Sequence, residues 1–76
     1  MEQKIKQNVS VGANIRRIRK QRGIGQTELV RQVNLLGEPM TREALVKIER
    51  GVQHIKASQL RAIKEALDTT YDELLE

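Results

Sequence analysis

Apolar residues recur along this chain at helical spacing in five separate short runs, and no stretch alternates apolar and polar positions as a strand would. Val11, Ile15 and Ile18 fall at i, i+4 and i+7, which predicts a helix from Val11 to about Arg22, capped by Ser10 and stopped by Gly23. Leu29, Val33 and Leu36 repeat the spacing. They predict a second helix from about Gln26 to Leu36, opened by a Gly25 cap with Ile24 and Leu29 as a hydrophobic staple and closed by Gly37. Thr41 caps a third helix over about 41–50, with Met40 and Leu45 at the staple positions, Leu45 and Ile48 facing inward and Gly51 as the stop. Leu60, Ile63 and Leu67 mark a fourth, with Ser58 as its cap, and Asp68-Thr69 breaks it. Thr70-Tyr71-Asp72-Glu73 has the form of a capping box at the head of a short fifth, Thr70 and Glu73 each satisfying the other's backbone N–H. The expected fold is all-α, a compact five-helix bundle over 11–76, behind a flexible arm at 1–10 that shows no helical face.

Two details bear on packing. Leu35, Leu36 and Met40 are apolar enough that the turn after the second helix should fold them inward. Arg16, Arg17 and Lys20 point away from the apolar stripe of the first helix, whereas Arg19, about 80° from Val11 at 100° per residue, lies on its border and is placed to face another helix.

Composition narrows the chemistry. With one tyrosine and no phenylalanine, tryptophan or cysteine, the core must be aliphatic and no disulfide can form. No run approaches the roughly 20 apolar residues a membrane span needs, and nothing near Met1 resembles an export signal, so a cytoplasmic location is expected. One histidine, two serines and no phosphate-binding glycine loop after a strand argue against an enzyme, a metal site, a cofactor or a small-molecule substrate. Charge is uneven: Met1 to Gly37 carries eight basic and two acidic residues, Glu38 to Glu76 six and eight. The first half is the side expected to meet a polyanion.

The second and third helices and the turn between them outline a DNA-reading pair, because polar side chains crowd the start and outer face of the third while Leu45 and Ile48 hold it from behind. A helix of about nine residues fits the roughly 12 Å major groove.

Taken in order, Ile15-Arg16-Arg17-Ile18-Arg19-Lys20 before Gly23, Gln26-Thr27-Glu28-Leu29, Ile48-Glu49-Arg50-Gly51 and the closing Ile63, Ala66-Leu67 and Asp72-Glu73-Leu74-Leu75 resemble the Cro/cI-type (XRE-like) helix-turn-helix regulators, whose DNA-binding domain is lambda repressor-like. One departure is that about five more residues lie between Val33 and Thr41 than in the usual family pattern.

The resemblance implies a sequence-specific transcriptional regulator, expected to be a repressor, bound to double-stranded DNA as a homodimer on a (pseudo)palindromic operator. It implies base contacts from Arg42, Glu43, Val46 and Lys47, and phosphate contacts from Gln26 and Thr27 at the head of the second helix and from Arg50, Gln53, His54 and Lys56 at or past the end of the third. It also implies a structural pair between Arg19 and Glu49. Dimer contacts could come from Tyr71, Leu74 and Leu75, the leucines alternatively closing the core, or from Ile5 and Val9 of the arm. The competing reading is a protein-interaction or antitoxin-like module that uses the same bundle to hold another regulator.

Overall fold

The computed structural model describes residues 10–76, and the expected arm at 1–10, with Ile5 and Val9, lies outside them except for Ser10. In the described residues five helices follow one another: α1 (Val11–Gln21), α2 (Gln26–Leu35), α3 (Arg42–Glu49), α4 (Ala57–Leu67) and α5 (Tyr71–Leu74). There is no strand among them. The predicted stripes form one core in which Ile15, Ile18, Leu29, Val33, Leu45, Ile48, Ile63, Leu67 and Leu74 are almost wholly enclosed, with Met40 and Ala62 at its edge. α1 packs on α3, and α2 packs on both α3 and α4, so α3 is braced from behind by two helices.

The caps follow local chemistry. Ser10 Oγ accepts from the Ala13 N–H, Thr41 Oγ1 from Ala44 and Thr70 Oγ1 from Glu73, each satisfying an otherwise unpaired donor in a first helical turn. Gly37 and Gly51 follow α2 and α3 with φ of 96° and 79°, a left-handed conformation that costs a side-chain-bearing residue roughly 1 kcal/mol or more.

Four expectations need correction. Ser58 does not cap α4, which begins one residue before it; Lys56 is the N-cap, and the buried Gln59 turns back so that its Oε1 accepts the Lys56 N–H at 2.9 Å. Glu73 does not complete a reciprocal box with Thr70, because its carboxylate accepts from the Thr69 hydroxyl instead. The third helix is one residue shorter at each end than 41–50, since Thr41 and Arg50 serve as its caps. Only Met40 of the three apolar residues around the turn folds inward: Leu35 is 72% exposed and Leu36 50%. The reason is positional. Leu36 is the C-cap of α2, where the stripe ends, and the α4 surface beside it carries Arg61 and Glu65.

Candidate nucleic-acid interface

The site is assembled from the back of α3 outward. Leu45, Ile48 and Glu49 are buried, and the opposite face presents Arg42, Glu43, Lys47 and the C-cap Arg50 as exposed side chains, with Val46 half-buried among them. An eight-residue helix leaves room for little else: its inward residues are spent on anchorage and all four expected base readers lie on the remaining surface.

Anchorage comes from two contacts that cross between helices. Arg19 donates from Nε to Glu49 Oε2 at 2.8 Å and from Nη2 to Glu49 Oε1 at 3.0 Å, a two-pronged pair whose side chains are 8% and 2% exposed. Its Nη1 also donates to the Ile24 carbonyl at 3.0 Å, so the guanidinium ties the end of α3 to the loop that opens α2. Glu49 Oε1 accepts a third hydrogen bond, from Gln26 Nε2 at 3.1 Å. No buried side-chain polar atom in the described residues is left without a partner, so this charge pair meets the condition under which burial is tolerated.

The second anchor is a glycine. Gly12 lies in the first turn of α1 and is buried against the α3 backbone; a Cβ built on it would sit 1.9 Å from the Ile48 carbonyl oxygen. Only a residue without a side chain lets α1 approach α3 this closely. Sequence reading passed over Gly12, although an isolated glycine within a helical pattern is itself a signal of close packing.

A second residue that sequence reading missed sets the angle at which the chain enters α3. Asn34 Nδ2 donates to the Val30 and Met40 carbonyls at 2.8 and 2.9 Å, and its Oδ1 accepts the Met40 N–H at 3.3 Å. This one side chain bridges the six-residue connection from Leu36 to Thr41. A polar residue late in a helix and just before a turn is its only mark in the sequence.

The expected phosphate-contacting residues divide into two groups. Gln26, half-buried, and Thr27, exposed, open α2 behind Gly25, and the Gln26–Glu49 hydrogen bond puts that helix start beside the last turn of α3. Arg50, Gln53, His54 and Lys56 are exposed along the segment from the end of α3 to α4. Gln53 and His54 line a cleft of about 420 Å³ that they share with Ser10 and Gly12 of the α1 start. Not all of the basic surface of α1 is equivalent: Arg17 turns toward the end of the chain, where Nη2 meets Glu76 Oε1 at 3.2 Å, while Asn14 Nδ2 holds the Leu74 carbonyl at 2.8 Å.

No group of three or more potential metal-binding side chains occurs among the described residues, and no helix there is long and apolar enough to cross a membrane. No curated protein and no solved structure matches the chain. A family model does: residues 15–74 match the one described as helix-turn-helix, a span that holds all of α2, α3 and α4 with the Arg19–Glu49 pair inside it. The chain therefore belongs to the Cro/cI-type helix-turn-helix family of DNA-binding regulators.

Proposed function

We propose that this protein binds double-stranded DNA sequence-specifically, as a transcriptional repressor, by laying the exposed face of α3 in the major groove. The observation that carries this reading is the division of α3 into a locked back and an open front: Glu49, Leu45 and Ile48 are held by the bundle, and Arg42, Glu43 and Lys47 are exposed among the described residues. A rigid helix with long polar side chains on its outer face reads base edges well, since ordering it costs little when it binds.

Each side chain then has a role. Arg42 and Lys47 donate to guanine O6 and N7, Glu43 accepts from cytosine N4, and Val46 touches a thymine methyl, each good pair being worth about 1 to 3 kcal/mol of discrimination. Gln26 gives one amide hydrogen to Glu49 and keeps the other for a phosphate oxygen, beside the unpaired backbone N–H groups of the first turn of α2. Thr27, Arg50, Gln53, His54 and Lys56 add backbone contacts that fix orientation without specifying sequence. The protein acts as a homodimer, because one short helix spans few base pairs and two-fold pairing places two of them on half-sites about one helical turn apart.

A footprint on the DNA upstream of its own reading frame, followed by titration over salt, tests the reading. With about 6 to 10 phosphate contacts, affinity should fall roughly 10³- to 10⁵-fold between 50 and 200 mM salt. Lys47→Ala should relax preference at one or two base pairs, whereas Gln26→Ala should weaken every sequence alike. Affinity that ignores salt, or two variants that behave the same on all sites, would refute it.

A further inference from the structure

The C-terminal end of α2 leaves an apolar surface that nothing in the described chain covers. Leu35 projects from it, 72% exposed, beside the half-exposed Leu36. Next to them runs a groove between α2 and α4 in two lobes of about 280 and 300 Å³ that share Leu36 and Glu65. Leu35, Leu36, Ala62 and Ala66 give the groove its apolar lining, and Glu38, Arg61 and Glu65 its charged rim.

We propose that this patch is where two copies of the chain pair, Leu35 of each copy seating in the groove of the other. A two-fold interface must be complementary to itself, so one patch has to carry both the projection and the recess, and both signs of charge. This one does. Among the described residues Arg61 pairs with Glu65, at 3.5 Å and with both side chains well exposed, and Glu38 lines the same lobe of the groove. Rotation by half a turn can bring Arg61 of one copy onto the carboxylates of the other. A partner of uniform charge would meet repulsion from one sign or the other, and the two carboxylates repel a nucleic acid.

Position favours the same occupant. The patch sits at the opposite end of α2 from Gln26, about 15 Å away along a ten-residue helix, so pairing there leaves the start of α2 open. The exposed residues at the other candidate surface are already engaged or flanked by charge: the Lys64 ammonium lies 5.2 Å from the centre of the Tyr71 ring, and Glu76 next to Leu75 pairs with Arg17. The inference deepens the proposed DNA-binding reading and takes its purpose from it, two linked α3 helices reading two half-sites, but it is measured without DNA.

The chain contains no cysteine, so Leu35→Cys and Leu75→Cys each introduce a single thiol. Equilibrium sedimentation of the unaltered chain should show a concentration-dependent dimer, and Leu35→Glu should weaken it about tenfold or more, as expected of an anchor residue. Arg61→Glu should weaken it too, and mild oxidation should link Leu35→Cys, but not Leu75→Cys, into a covalent dimer. A chain that stays monomeric at every concentration overturns the proposal. So does a dimer that is indifferent to Leu35→Glu, or that cross-links only through Leu75→Cys. An unaltered chain that pairs through Leu35 yet has no affinity for DNA would refute the DNA-binding reading and leave this interface standing.

Discussion

The two ends of α2 solve opposite problems with the same helix. Its N-terminal end is polar and locked: Gln26 reaches Glu49, which Arg19 holds in turn, and the Ile24 carbonyl just before it accepts from the same guanidinium. Its C-terminal end is apolar and open, with Leu35 and Leu36 in solvent although Leu29 and Val33 between the two ends are completely enclosed. Hydrophobicity alone would have put these ends the other way round. What separates them is the supply of neighbours: α3 and the α1 border supply partners at one end, and a charged stretch of α4 faces the other. Polar groups can be buried where each finds a partner, and leucines stay wet where the described chain offers too little apolar surface to cover them.

The largest loss of stability is expected at Glu49. Glu49→Ala leaves the Arg19 guanidinium buried without its carboxylate and should cost about 3 to 5 kcal/mol in denaturant unfolding, whereas Leu35→Ala should stay within about 0.5 kcal/mol. A double-mutant cycle with Arg19→Ala sharpens this, since strictly additive losses would mean that the pair is not coupled. Gly12→Ala comes next. Its new methyl would meet the Ile48 carbonyl oxygen, so α1 and α3 must separate, at about 1 to 3 kcal/mol, read as a lower melting temperature. Asn34→Ala removes the bridge between the last turn of α2 and Met40 and should cost about 1 to 2 kcal/mol, with faster hydrogen exchange confined to the connection from Leu36 to Thr41. Uniform exchange across the bundle would deny that Asn34 acts locally.

The smallest effect belongs to acid titration. Arg31, and after it Gln32, hydrogen-bond the Glu28 carboxylate and hold its pKa at about 2 instead of the ordinary 4.5. A depressed carboxylate stabilises the fold in full above its unfolded value and loses that contribution as pH falls from about 4.5 through about 2. Because Glu28 and Arg31 are solvent-exposed, screening keeps the contribution small. Glu28→Gln should flatten the acid limb of the stability profile slightly and leave neutral pH almost unchanged.

Much of the fold was legible before any coordinates. The stripes Ile15/Ile18, Leu29/Val33, Leu45/Ile48 and Ile63/Leu67 all reach the core, because helical periodicity reports which face must leave water whatever it packs against. Ser10, Thr41 and Thr70 cap as read, since a cap depends on three or four consecutive residues. Ser58 and Glu73 misled because competing partners stood one residue away: Gln59 supplies the acceptor for the Lys56 N–H, and the Thr69 hydroxyl takes the Glu73 carboxylate.

The sequence by itself determined the five helices, the inward faces and the outward polar face of α3, all properties written within one or two helical turns. Tertiary structure alone decided that Gly12 is the point of contact between α1 and α3, that Gln26 shares Glu49 with Arg19, and that Leu35 and Leu36 are stranded. Each of these depends on atoms ten or more residues apart in the chain, and periodicity carries no information about what a face will meet once the helices have docked.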